Sequence, residues 1–313
     1  MPDTQYFTNI DGKYVKDAEA RQQLNDLEDY VESLDQPWQP LQDGYSNFWF
    51  ELTNDTLSPW LNFSAKTESA VIDWGDGSGE VALDTLTPTH TYSKAGRYIV
   101  KVKGVTGIAQ QSTSPYTKYT QVLKNVELNS EVVALSNSCF SANTNIQNIV
   151  CSAVTTIGQY SFAFCSNLSN IVLPNGLTVF TVNAMPYCMK LAQIEIPSTV
   201  TEIGSTAFYY DRYLQSVIIP STVTNIGGSV FSYCASLEEV HCQAIVPPTI
   251  GNNVFFGLPN NFIIYVPVGT AETYKAASGW STYADHILEE GQTPNRAMLA
   301  KFNTNNTDNE EMR

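Results

Sequence analysis

Positive charge is scarce in this chain. Lys and Arg number 16 against 31 Asp and Glu in 313 residues, a net charge of −15, and only 15% of residues are ionic where about 25% is ordinary. Binding nucleic acid through its phosphates needs clustered Lys and Arg, so no nucleic-acid partner is expected. Long apolar runs are also missing. Nothing approaches the roughly 18–20 residues of a membrane-spanning helix, and the first fifteen residues (MPDTQYFTNIDGKYV) lack the basic start and apolar stretch of a secretory leader. That leads to the expectation of a product made in a cytosol and not exported by the general pathway. Histidine occurs three times (His90, His241, His286) without His-x-x-His or His-Glu-x-x-His spacing, and there is no G-x-S-x-G or C-G-x-C-W element. We therefore expect no catalytic residue, no metal and no cofactor, and a chain that is not an enzyme.

What is present suffices for packed cores. With 43% apolar and 12% aromatic residues, disorder of the whole chain is excluded, and the length suggests two or three compact units. The charge is unevenly placed. Residues 1–35 hold nine acids and three bases, whereas residues 133–267 hold only Glu195, Glu202, Asp211, Glu238 and Glu239 with Lys190 and Arg212. A long, weakly charged stretch rich in hydroxyls and amides suggests a β-rich surface.

That stretch repeats. Aligned on Phe140, Phe162, Met185, Phe208, Phe231 and Phe255, it has steps of 22, 23, 23, 23 and 24 residues. Nine positions after each anchor stand Ile149, Ile171, Ile194, Val217, Val240 and Ile264, and eleven after stand Cys151, Leu173, Ile196, Ile219, Cys242 and Val266. This alternation predicts one short half-buried strand per repeat, ended by Pro174, Pro197, Pro220 and Pro267, which cannot donate to a sheet ladder. Such a period describes a solenoid, in which a repeat buries its apolar face only when a neighbour stacks on it. Register also places the cysteines. Cys151 and Cys242 take the +11 slot of Leu, Ile and Val, and Cys165, Cys188 and Cys234 share the +3 slot, so interior packing of small hydrophobes is favoured over disulfides or zinc. Asp211 breaks the +3 series, as a polar interior residue satisfied by turn amides or as a locally altered loop. Glu195 and Glu239, two repeats apart, are poorly placed to act as a carboxylate pair.

Val154-Thr-Thr-Ile-Gly-Gln-Tyr-Ser-Phe162, Val200-Thr-Glu-Ile-Gly-Ser-Thr-Ala-Phe208 and Val223-Thr-Asn-Ile-Gly-Gly-Ser-Val-Phe231 resemble BspA-type leucine-rich repeats, a family of parallel-strand solenoids common on microbial surfaces and in adhesins. The resemblance covers about 133–267, and Tyr265 to Trp280 is similar to the helical terminator of such arrays. Upstream, Phe48/Phe50/Leu52, Val71/Asp73 and Tyr98/Val100/Val102 alternate as short strands of a small β-sandwich. There Val71-Ile-Asp-Trp-Gly-Asp-Gly-Ser78, Thr89-His-Thr-Tyr92 and Gly96 to Val102 resemble a PKD domain, an Ig-like module that implies a spacer. Asp73 and Asp76 are read as turn carboxylates accepting backbone N–H bonds, and Trp74 and Tyr92 as packing residues.

Near the start, Ala20, Leu24, Leu27, Val31 and Leu34 step by 4, 3, 4 and 3. This heptad seam suits a short coiled coil that is marginal alone, so an oligomer, by analogy with fibres a homotrimer, is weighed evenly against a helix packed on its own chain. Asp11-Gly-Lys-Tyr-Val-Lys-Asp-Ala-Glu-Ala-Arg21 resembles a short motif at the start of tail, baseplate and head-fibre proteins of bacteriophages.

The expected order is thus mainly β: a helical docking segment over 1–38, a PKD-like sandwich with linker over 39–122, the leucine-rich-repeat solenoid over 123–270, a cap over 271–287 and a flexible tail over 288–313. The leading expectation for function is a virion fibre or appendage with other virion structural proteins as partners, its solenoid binding a glycan or protein of the bacterial surface. The alternative is a bacterial surface or secreted adhesin. The candidate binding residues are an aromatic series two after the anchor, Phe164, Tyr187, Tyr210 and Tyr233, joined by Tyr209 and Tyr213. Exposed, these rings suit sugar stacking or a protein partner; packed on one another, they are a structural ladder.

Overall fold

The computed structural model describes residues 7–8, 14–15, 41, 43–52, 61–109 and 123–294. The chain divides into two units, Met1–Pro40 and Leu41–Arg313. In the first, β1 (Phe7–Thr8) pairs antiparallel with β2 (Tyr14–Val15), and the latter lies inside the motif of residues 11–21. The heptad positions Ala20, Leu24, Leu27, Val31 and Leu34, and with them the expected helix, lie outside the described residues.

The second unit opens with β3 (Ser46–Leu52), β4 (Phe63–Asp73), β5 (Glu80–Ala82) and β6 (Gly96–Ile108), paired antiparallel in the order β5-β4-β6-β3. The expected alternation holds in β3 and β6, with Phe48, Phe50, Leu52, Val100 and Val102 buried and Tyr98 half-buried; in β4 it has the opposite phase, Ala70 and Ile72 facing the core and Val71 and Asp73 half-buried. At the W-G-D-G turn, Asp73 accepts the Gly75 N–H (2.9 Å) and Asp76 accepts the Ser78 N–H (3.0 Å). Gly75 is required there, because its φ is +72° and a Cβ would lie 2.4 Å from the Ile99 carbonyl oxygen. Hydrogen bonds from the Ser78 hydroxyl and N–H, with His90 behind them, hold the Asp76 carboxyl down at about 2. Trp74 and Tyr92 are buried as expected, and the Tyr92 hydroxyl donates to the Trp74 carbonyl (2.6 Å).

The expectation of a separate sandwich with a linker needs correction. Among the described residues these strands form one sheet, and that sheet runs on into the solenoid. β3 pairs on its other edge with β7 (Leu123–Leu128), the first solenoid strand, and the end of β6 pairs in parallel with β8 (Ala134–Leu135). A strand edge presents unpaired N–H and C=O groups; here those edges bond to the first coil instead of to solvent. The module therefore caps the solenoid and shares its core.

Each following coil contributes two parallel strands. The first row continues through β9 (Asn148–Cys151), β11 (Asn170–Val172), β13 (Gln193–Glu195), β15 (Ser216–Ile219), β17 (Glu239–Cys242) and β19 (Ile263–Val266). This is the expected strand, with the +9 residues buried throughout. The second row, β8, β10 (Thr156–Ile157), β12 (Val179–Phe180), β14 (Glu202–Ile203), β16 (Asn225–Ile226) and β18 (Thr249–Ile250), was not legible, because two residues are too few to show a period. After this row comes a glycine in four coils: Gly158, Gly204, Gly227 and Gly251. A Cβ on any of them would lie 2.4–2.5 Å from backbone nitrogen of the preceding coil, so close coil approach demands glycine there.

All six cysteines are free and buried. In the +3 slot the thiols of Cys165, Cys188 and Cys234 donate to the carbonyls of Phe140, Phe162 and Phe208 (3.1–3.2 Å), and burial pushes Cys151 and Cys165 up to about 12. The C-terminal end is covered by α1 (Ala271–Ala276), a 3-10 helix (Trp280–His286) and β20 (Ile287–Glu289). β20 pairs in parallel with β19, Tyr265 opposite Leu288 and Val266 opposite Glu289. Residues 288 and 289, expected in the tail, thus belong to the cap; residues 295–313 lie outside the description.

Candidate functional site

Between the two strand rows each coil makes a tight turn around its anchor. Three N–H groups per turn, at −2, 0 and +2, point at the next coil: in one coil Tyr160, Phe162 and Phe164 donate to the carbonyls of Asn183, Ala184 and Pro186 at 2.9–3.0 Å. Directing alternate N–H groups to the same side turns the residues at −2 and +2 left-handed. At +2 stand Ala142, Phe164, Tyr187, Tyr210, Tyr233 and Gly257, with φ between 59° and 73°. Left-handed backbone favours glycine and asparagine and costs other residues roughly 1–2 kcal/mol. Four successive coils nevertheless carry an aromatic residue there.

The rings account for part of that choice. Phe164 stacks on Tyr187 with centroids 4.8 Å apart and planes 12° apart; Tyr187 and Tyr210 are 5.0 Å apart, and Tyr210 and Tyr233 5.7 Å. Tyr209 sits beside the row, edge-on to Tyr187 and Tyr233 at 5.7 Å each, and desolvation by these rings raises its hydroxyl above the usual phenol range. Such pairs contribute about 0.5–1.5 kcal/mol beyond burial, which offsets the backbone strain. At the C-terminal end Gly257 leaves room for the Tyr233 ring, since a Cβ would lie 2.9 Å from it, and Phe256 meets that ring edge-on at 5.4 Å.

The candidate residues therefore come together, in a form that joins both expectations. Phe164, Tyr187, Tyr209, Tyr210 and Tyr233 make one contiguous ladder, stacked at the Phe164–Tyr187 pair and tilted or edge-on beyond it. Their edges reach solvent: Phe164 is 48% exposed and Tyr233 39%, with Tyr187, Tyr209 and Tyr210 half-buried. Tyr213 makes none of these ring contacts and is 61% exposed. The inner anchors form a second, buried stack, with Phe140–Phe162 at 5.9 Å and Phe208–Phe231 at 5.5 Å.

Beside Tyr210 lies Asp211, fully buried in the +3 slot that holds cysteine in three other coils, Asn143 in the first and Leu258 in the last. One carboxyl oxygen accepts the Cys188 N–H at 2.7 Å, and the other has no partner among the described residues. The turn-amide reading thus holds for half of the group, and burial pushes the carboxyl well above its usual range. The next residue, Arg212, lays its guanidinium over the Tyr210 ring at 4.6 Å. The sequence reading left this cation out of the site; as one of only two bases in 135 residues, it was the available signal.

Two rows of parallel strands, a repeated turn and capped ends define a β-solenoid of the leucine-rich-repeat class. The BspA type leucine rich repeat region matches in six copies over residues 116–214 and 201–275, half of the chain, and the chain belongs to that family. Among solved structures it is similar to the T. pallidum leucine rich repeat protein TpLRR, at 26% identity over 51% of this chain and 72% of that one, with a TM-score of 0.45. It is also similar to the pneumococcal vaccine antigen PcpA, at 18% identity over 56% of this chain and 44% of that one (TM-score 0.42). A leucine-rich repeat protein from Bacteroides ovatus ATCC 8483 follows, at 16% identity over 65% and 71% of the two chains (TM-score 0.31). No curated protein matches.

Proposed function

We propose that this chain is a non-enzymatic surface or secreted binding protein of the adhesin kind, whose solenoid engages its target along the aromatic ladder. One observation carries the reading: aromatic side chains occupy four consecutive left-handed turn positions, at a backbone cost, and keep their edges in solvent. Membership of the BspA type family supports the surface setting, since that family implies adhesins. The PKD-like residues 45–104 then act as the lid of the solenoid's first coil, and the solenoid as the part that meets the target.

The test is adsorption of the full chain to bacterial and epithelial cells. A Tyr210→Ala/Tyr233→Ala variant with unchanged folding is expected to adsorb at least about 10-fold more weakly, since central aromatic anchors dominate such contacts. Adsorption equal to the parent's removes the ladder from the reading.

The virion-appendage reading retains one supporting observation, the motif of residues 11–21, and stands second. It includes a homotrimer through Ala20, Leu24, Leu27, Val31 and Leu34. Structural and lysis genes flanking the gene would restore it to first place. A monomeric mass at micromolar concentration, unchanged by Leu24→Asp/Leu27→Asp, would remove the trimer.

A further inference from the structure

Resting on the reading of the ladder as a contact surface, we propose that its ligand is an anionic polysaccharide, held by Lys190 and Arg212 against the tyrosine edges. The solenoid over 133–267 contains these two bases and no others. They fall on adjacent coils, Lys190 five after Met185 and Arg212 four after Phe208, each in the two-residue turn that follows the +3 slot, and Arg212 lies over the Tyr210 ring. Both are exposed, and neither forms an ion pair with a described residue. In a chain of net charge −15, two exposed cations without ion pairs in successive turns are a local reversal of sign.

The acids leave this spot uncancelled. Of the five in the stretch, Glu195, Glu238 and Glu239 lie at or beside the first strand row and Glu202 in the second, and none forms an ion pair with Lys190 or Arg212. The fifth, Asp211, is the buried residue between them. The carboxyl that adjoins Arg212 in sequence therefore sits in the core and makes no ion pair with it.

The form of the ladder selects among anionic ligands. Its rings meet in one stacked pair and otherwise tilted or edge-on, so the row offers no flat continuous platform for broad stacking. What the row presents along its length is ring edges and tyrosine hydroxyls, none of them hydrogen-bonded to another described residue. Hydroxyls spaced at the coil repeat, with two cations beside them, match a chain molecule that carries many hydroxyls and regularly placed carboxylate or ester anions. Charge-assisted hydrogen bonds to Lys and Arg are the stronger contacts in such a set.

Binding of the full-length protein to immobilised hyaluronate (carboxylate), chondroitin sulfate (carboxylate and sulfate ester) and dextran (neutral) tests this. The anionic polymers are expected to bind, more weakly as salt rises, and dextran not to. Lys190→Ala/Arg212→Ala should lose about 10-fold or more in affinity, while Arg212→Lys keeps most of it. Both side chains are exposed, so an unchanged melting temperature shows the variant folded, and Lys190→Gln/Arg212→Gln repeats the measurement with side-chain length retained. Preference between the two anionic polymers identifies the anion. Equal binding of dextran, no binding of either anionic polymer, or full binding by the double variant overturns the proposal. Cell adsorption separates its failure from that of the ladder. If Tyr210→Ala/Tyr233→Ala abolishes adsorption and Lys190→Ala/Arg212→Ala does not, the ladder stands and the anionic ligand falls. Adsorption that is lost after protease treatment of the cells and kept after glycosidase treatment assigns the target to a protein, and also overturns it.

Discussion

The coils before and after the junction between Phe162 and Met185 share one repeat and differ in how tightly they join. On the N-terminal side, β8 with β10 and β7 with β9 and β11 belong to the sheet that includes the capping module; on the C-terminal side, β12 to β18 and β13 to β20 form two separate sheets. Both strand rows break at the same junction. The turn row does not, since Tyr160, Phe162 and Phe164 still donate to the Met185 coil and Phe164 still stacks on Tyr187. The junction also differs at one residue of the glycine row. Where Gly158, Gly204, Gly227 and Gly251 donate their N–H to the preceding coil, this coil has Thr181, whose hydroxyl reaches the Ile157 carbonyl instead at 2.9 Å. Solenoid stability sums over neighbouring interfaces, and this one, between the first two rungs of the aromatic ladder, joins through the turn row without strand pairing.

Substitutions in the glycine row test this comparison most severely. Gly227→Ala places a methyl 2.4 Å from the Ser205 backbone nitrogen and is expected to cost about 3 kcal/mol, read as a lower denaturant midpoint. Thr181→Ala, at the equivalent position across the loose junction, should lose only its hydroxyl bond, about 1 kcal/mol. Equal costs would show the junction to be as tight as the others.

Smaller effects follow from charge and separate the two ends of the molecule by sign. Burial raises the Asp211 carboxyl, so its destabilising influence is absent below the usual carboxylate range near 3.8 and grows as pH rises above it. Asp211→Cys restores the slot and should stabilise by about 1–3 kcal/mol at neutral pH, the gain shrinking as pH falls toward 4. Asp76 behaves oppositely. Its carboxyl is held at about 2, so the stability it adds is complete above about 4 and lost between 4 and 2. Asp76→Asn is expected to flatten the acid limb of the melting curve. Acid melts of the two variants that move the same way would refute the assignment.

The smallest expected change is in the ladder. Tyr187→Gly removes the backbone strain together with three ring contacts, and should leave stability within about 1 kcal/mol of the parent. A larger loss would mean that the ladder is chiefly a structural element.

Much of this organisation was legible. The 22–24 residue period placed the anchors, the first strand row and the interior cysteines, because burial on a repeated face leaves apolar residues at fixed offsets. The terminator was legible through Trp280, whose indole N–H donates to the Pro248 carbonyl. The PKD-like motifs located β4 and β6 but not their partners. Alternation identifies which face of a strand is buried, and the hydrogen-bonding edges of β3 and β6 leave no mark on side-chain pattern.

The ladder shows the same division more sharply. Residue types and spacing alone determined that Phe164, Tyr187, Tyr210 and Tyr233 share one row, that charge is nearly absent around them and that the only two nearby bases are Lys190 and Arg212. The tertiary structure decided that the row is left-handed, that its rings pack on one another while staying partly exposed, and that Asp211 turns inward beside Arg212. Handedness here follows from N–H groups bonding to the next coil against the residues' own preference, and a conformation imposed by a neighbour 22–24 residues away is visible only once the coils are stacked.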